Sequence, residues 1–212
     1  MTRYPSPNIN YMPIKPLSDE LYKGLLDIYE RTKTYKTSFE VSAFEGTTMS
    51  WPETDEDHQW ILDNILKFYN IDPSEILSLE YTAKDTNDDM GIRNDSKRKE
   101  WQFENVPDRI PNSLNFTSVT RTSTISAHND HEAGCKINIP IKNMSAANIY
   151  FYETDEKYYY PAPVLLNCPA FHEVQNISRM ATFDIPERTF FQIVFKGSYE
   201  HYKSTLPLPN GY

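Results

Sequence analysis

Beyond Trp101 the chain is a succession of short strand-like runs, and this constrains its fold more than any other feature. Residues 116–126, 136–142, 148–152, 158–160, 164–166, 173–174 and 189–195 are the best of these runs. They are separated by turn formers: Asn129, Gly134, Asn143, Asp155, Pro161, Pro163 and Pro186. Many short strands at regular spacing predict an all-β core, a sandwich or a jelly-roll.

The first third reads differently. Ser18 is placed to cap a helix, with Asp19 and Glu20 in its first turn and Leu21, Leu25 and Ile28 at helical spacing. A second helix is predicted from Thr54, with Asp55, Glu56 and Asp57 at its start. Ile61, Ile65 and Phe68 form its apolar stripe, and Leu62, Leu66 and Tyr69 widen it. Asn70 and the pair Asp72-Pro73 end it, because the residue before proline avoids the α region. Residues 76–81 suggest a short strand, and residues 84–100 are a charged stretch without period, read as a loop. One domain over residues 1–212 is expected: a helical support region (1–74), a jelly-roll core (75–200) and a C-terminal tail (201–212).

Composition narrows the chemistry by exclusion. The 30 Asp+Glu outweigh 21 Lys+Arg for a net charge of −9, so a basic face for nucleic-acid phosphates is not expected. Only 6 glycines occur and no GxGxxG or GxxxxGK[ST] pattern is present, which disfavours dinucleotide and P-loop binding. Two separated cysteines, Cys135 and Cys168, suit neither a disulfide framework nor a zinc ribbon, and buried free thiols are expected. No apolar signal region or membrane-length apolar run is seen, so the sequence reads as cytoplasmic.

The chemistry-bearing stretch is Ser126-Ala127-His128-Asn129-Asp130-His131-Glu132. On extended backbone, residues two apart share a face, so His128 and Asp130 can converge on one point. His172 closes an apolar run that begins at Val164. Two imidazoles and one carboxylate are the facial set that holds non-haem Fe(II) and leaves positions open for a cosubstrate and O₂. An HxD triplet alone is a weak signal, and a solvated turn with a capping aspartate is its structural alternative. The strand before the triplet and the β-run ending in His172 give the triplet its context.

These residues carry a resemblance. The sequence resembles the Fe(II)/2-oxoglutarate-dependent oxygenases, especially small stand-alone members akin to the aspartyl/asparaginyl and prolyl hydroxylases. The matching residues are His128-Asn129-Asp130, the strand from Cys135 to Ile141, Leu165-Leu166-Asn167, His172-Glu173-Val174-Gln175-Asn176, and the run from Arg188 to Phe195. The resemblance covers roughly residues 115–195. It implies a double-stranded β-helix (jelly-roll, cupin-like) core with N-terminal α-helices packed outside. It also implies a catalytic Fe(II) held by His128, Asp130 and His172, with 2-oxoglutarate and O₂ as cosubstrates and ascorbate as an optional reductant. Arg188 would clasp the far carboxylate of 2-oxoglutarate, a task suited to a planar guanidinium. The interval from His172 to Arg188 is longer than usual for the family, so Arg121 and Arg179 stay open as alternatives.

Asn138 and Asn167 flank the set and are candidates to touch the cosubstrate or orient a ligand, with plain structural hydrogen bonding as the alternative. His131 and Glu132 could reach substrate or face solvent. Tyr150, Tyr152 and residues 158–160 could line the site or fill the core, and Trp51, Trp60 and Trp101 carry no decodable signal. The implied reaction hydroxylates a C–H bond of a peptide side chain or a small metabolite, with succinate and CO₂ as co-products. Two other readings stand beside it: a non-catalytic jelly-roll binding or structural protein, and a cupin-like metalloenzyme that does not use 2-oxoglutarate. Oligomeric state is not legible.

Overall fold

A computed structural model describes residues 9–32, 34–35, 47–50, 52, 54–76, 80–81, 110–111, 114–119, 125–130, 133–144, 147–160, 162–176 and 187–209. Helix α1 (Asp19–Arg31) starts where Ser18 Oγ accepts from the Leu21 amide, and Leu25 and Ile28 are its buried stripe. Helix α2 (Asp55–Trp60) is capped by Thr54 and runs into a π-helical segment, Ile61–Leu66. Ile61, Ile65, Leu66 and Tyr69 from this region are fully buried, while Leu62 and Phe68 are partly so. Asn70 leaves the helix with φ 55°, and Asn143 and Asp155 also take positive φ (53° and 55°). These three are the short polar residues that tolerate the left-handed region at a turn.

The strands are β1 (Tyr11–Pro13), β2 (Thr34–Tyr35), β3 (Thr47–Ser50), β4 (Glu80–Tyr81), β5 (Ile110–Pro111), β6 (Leu114–Val119), β7 (Ile125–His128), β8 (Cys135–Lys142), β9 (Ala147–Phe151), β10 (Glu156–Tyr158), β11 (Val164–Leu166), β12 (His172–Asn176) and β13 (Arg188–Phe195). The fold is mainly β. Seven strands form one antiparallel sheet in the order β1-β11-β8-β13-β6-β3-β2, and four form a second in the order β10-β9-β12-β7. A small β4-β5 pair stands apart from both. The two main sheets do not close into a barrel among the described residues.

Three sequence expectations change here. The run 116–126 is not one strand: its described parts are β6 in the large sheet and β7 in the small one. The region 1–74 is not only helical, because β1, β2 and β3 pair onto the large sheet. Both differences arise because backbone pairing across the sheet, not local period, fixes where a short strand belongs. The tail begins inside a third helix, α3 (Tyr199–Thr205), which buries Tyr199 and Tyr202. The loop at 84–100 lies outside the described residues.

Period-two alternation divides the large sheet into two faces. Ile137, Ile139, Phe191, Ile193, Leu114 and Phe116 point to the helices and form one core with Leu25, Ile28, Ile61 and Tyr69. Val119, Val164, Leu166 and Phe190 point the other way and meet Ile149, Phe151, Tyr158 and Val174 of the small sheet in a second core. The in-between phase of β6, β8 and β13 is also where the polar residues Asn115, Thr117, Asn138 and Gln192 are buried. The helices therefore cover one side of the large sheet, and the small sheet covers part of the other.

Candidate functional site

The small sheet builds the site. Its β7-β12 pairing sets His128 directly opposite His172, and the ring centroids are 4.4 Å apart. Asp130 follows two residues beyond His128, where its amide donates to the Cys168 carbonyl (3.0 Å) and its carbonyl accepts from Ala133 (3.2 Å). These bonds fix the backbone just past the strand end and bring the carboxylate back to the imidazoles. One ligand atom from each of His128, Asp130 and His172 lies within 4.8 Å of the others. Asp130 Oδ1 stands 3.7 Å from His128 Nε2.

His172 is prepared for ligation. It is buried, and its Nδ1 lies 2.8 Å from the Ala170 carbonyl. A carbonyl only accepts, so Nδ1 carries the hydrogen and the neutral ring presents the Nε2 lone pair. Burial pushes its pKa down to about 3, helped by the positive charge of Lys136, so the ring is neutral at physiological pH. Burial, the largest single effect, would raise Asp130, but the Lys136 ammonium and the two imidazoles together outweigh it. The carboxyl is held well below the usual carboxylate range. Two nitrogen lone pairs and one anionic oxygen, close and deprotonated, suit a divalent transition metal.

Lys136 was not among the sequence candidates. Its Nζ lies 2.7 Å from Asp130 Oδ2, so the two carboxylate oxygens have different neighbours: Oδ1 the imidazole, Oδ2 the ammonium. Burial pulls the Lys136 pKa down, and Asp130 foremost, with Cys168 and Tyr160, more than restores it, so the ammonium stays charged. Lys136 shares the inward phase of β8 with Asn138. Asn138 donates from Nδ2 to Tyr160 Oη (3.1 Å) and accepts at Oδ1 from Gln192 Nε2 (3.2 Å). The Thr117 hydroxyl extends this chain, lying 3.1 Å from Gln192 Oε1 and 2.8 Å from Asn115 Oδ1. Tyr160 ends it: burial raises its pKa to about 12 against the opposing pull of Asn138, Lys136 and Arg188.

Arg188 opens β13 in the same phase as Phe190 and Gln192, and only 1% of it is exposed. Its Nε and Nη1 are buried atoms that make no hydrogen bond, while the residue has other contacts. Burial lowers its pKa, and Tyr160 nearby opposes the shift. Arg121, Arg179, His131 and Glu132 lie outside the described residues. Asn167 Nδ2 donates to Asn10 Oδ1 (3.0 Å) and its amide to the Asn10 carbonyl (2.9 Å).

The tyrosines divide by strand phase. Tyr158 and Tyr160 are buried, whereas Tyr152 and Tyr159 are exposed and Tyr150 is half-buried. Both cysteines are buried free thiols. One signal pointed to the missed residues Gln192, Thr117 and Asn115. In β6, β8 and β13 one phase is apolar except at Ser118 and Thr189, and the other is repeatedly polar. No helix among the described residues is long and apolar enough to cross a membrane. No protein-family model and no curated protein matches this sequence.

Proposed function

We propose that this protein is an Fe(II)- and 2-oxoglutarate-dependent dioxygenase that hydroxylates a C–H bond of a peptide side chain or small metabolite. The observation that carries the reading is the His128–Asp130–His172 cluster, with its donor atoms within 4.8 Å of one another. The strand path supports it. From β6 to β13 the chain passes between the two sheets repeatedly, giving β11-β8-β13-β6 in one and β10-β9-β12-β7 in the other. That interleaving is what two Greek keys of a jelly-roll produce.

His128, Asp130 and His172 would hold Fe(II), which with 2-oxoglutarate and O₂ supplies the oxidising power to insert oxygen into a C–H bond, releasing succinate and CO₂. The protein's own groups do the rest. The Ala170 carbonyl orients His172. Asp130 supplies the single negative charge of the ligand set. Arg188, buried in the inward phase of β13, is the group offered to the far carboxylate of the cosubstrate, and a bidentate fork fixes both its distance and its plane. The inter-sheet apolar residues Phe151, Val174 and Phe190 limit water around the site. The net charge of −9 favours a peptide or metabolite over a nucleic-acid substrate.

Anaerobic addition of Fe(II) and 2-oxoglutarate should give a visible charge-transfer band that needs both components. Asp130→Ala should abolish the band and Fe(II)-dependent succinate formation. Succinate formation retained by Asp130→Ala, or no band in the wild type, would refute the reading. A panel of peptides and metabolites scored for a gain of one oxygen by mass spectrometry would then identify the substrate.

A further inference from the structure

We infer that Lys136 sets the charge of this site: its ammonium pairs with the Asp130 carboxylate, opposes an incoming metal ion, and thereby reserves tight binding for a metal that arrives with a dianion. The inference rests on the metal-site reading above and concerns a residue outside the ligand set. Its basis is geometric. Lys136 Nζ sits 2.7 Å from Asp130 Oδ2, on the oxygen turned away from the His128 contact at Oδ1. Lysine is seldom buried, yet the Lys136 side chain is only 13% exposed and lies on the inward phase of β8.

The sum of charges gives the consequence. Both imidazoles contribute no charge when ligating, and Lys136 already cancels the charge of Asp130. A divalent ion would therefore leave its double positive charge uncompensated beside the Lys136 ammonium. Repulsion between close, poorly solvated cations is strong, so metal alone should bind weakly. A dicarboxylate brings two negative charges into the same space and relieves the repulsion between the metal and Lys136. Lys136 thus weakens one ligand and strengthens the other, a pair of effects that a purely supporting side chain does not produce.

The test uses the full chain, Mn(II) as a redox-silent metal, and 2-oxoglutarate. Mn(II) binding is followed by electron paramagnetic resonance of the free ion, and 2-oxoglutarate binding to the Mn(II)-loaded protein by calorimetry. Lys136→Met should tighten Mn(II) alone by about tenfold and weaken 2-oxoglutarate by about tenfold. Lys136→Arg, which keeps the charge, should stay within about threefold of wild type in both and serves if the Met variant misfolds: opposite shifts there would overturn the inference. Weaker binding of both ligands by Lys136→Met would make Lys136 a structural prop, and unchanged binding of both would remove it from the site; either overturns the inference while leaving the metal site standing. A wild type that binds no Mn(II), with or without 2-oxoglutarate, overturns both readings together.

Discussion

His172 makes the acid stability of the metal-free protein calculable. Its imidazole is 2% exposed, and burial, then the positive charge of Lys136, lowers its pKa from 6.5 to about 3. In the unfolded chain the ring takes up a proton near the ordinary 6.5, whereas the folded ring does not until far lower pH. Between those limits the unfolded state binds more protons, so stability rises with pH and is lost as pH falls. Each tenfold by which protonation favours the unfolded chain costs the fold about 1.4 kcal/mol. At about pH 5 that preference reaches roughly thirtyfold, a loss of about 2 kcal/mol relative to about pH 7.5. Asp130, also held low, contributes stability that is present above the ordinary carboxylate range and disappears below it, so it adds only in stronger acid. The assay is urea unfolding with chelator present at both pH values, for wild type and His172→Gln. The other titrating groups are common to the two proteins, so the difference between their pH losses isolates the ring. Wild type should lose about 2 kcal/mol more than the variant. Equal losses would mean that the folded ring titrates normally, and the argument for a neutral, ligation-ready His172 would fail.

Two further substitutions probe the frame around the site. Gly134→Ala would drive a Cβ into the Gly197 carbonyl oxygen, where the Gly134 amide also donates to the Phe195 carbonyl. Two backbone segments would have to separate, so a loss of about 1–3 kcal/mol or more is expected in urea unfolding, and a stability equal to wild type would show that the close approach is absent. Asn167→Ala removes the amide that bonds Asn10, whose own amide reaches Thr154 Oγ1 and Glu156 Oε2. It should cost about 1–3 kcal/mol and speed amide exchange in β1 without moving Mn(II) affinity; a changed Mn(II) affinity would return Asn167 to the site.

Much of the scaffold was legible because its signals are local. A serine or threonine before acidic residues and a helical apolar stripe located α1 and α2, and asparagine or aspartate at a turn located Asn143 and Asp155. The divided run 116–126 was not legible. Its alternation is continuous in sequence, and only pairing with β13 on one side and β12 on the other assigns its two parts to different sheets. The same holds for β1 and β3, which are too short to announce themselves and exist because β11 and β6 offer free edges.

The site shows the same boundary between local and non-local information. His128 and Asp130 share one extended segment, so their convergence follows from a two-residue period. His172 joins them through the register of β7 on β12, which sequence can suggest but not fix. Lys136 lies beyond either rule. On a strand, lysine reads as a solvent-facing residue, and the pattern of β8 gives it no distinction from Lys142, which pairs with Glu30 at the surface. The two lysines share one phase of β8; what separates them is that Lys142 ends the strand past a register shift against β13, whereas Lys136 meets Asp130 at the chain reversal after β7. That reversal is fixed by two backbone hydrogen bonds, one to Cys168 and one from Ala133. Without it the carboxylate would not face the inward side of β8, and a buried ammonium there would be costly. The pair is therefore mutually dependent: Asp130 makes a poorly exposed Lys136 tolerable, and Lys136, first among the opposing charges, helps keep Asp130 ionised against the effect of burial.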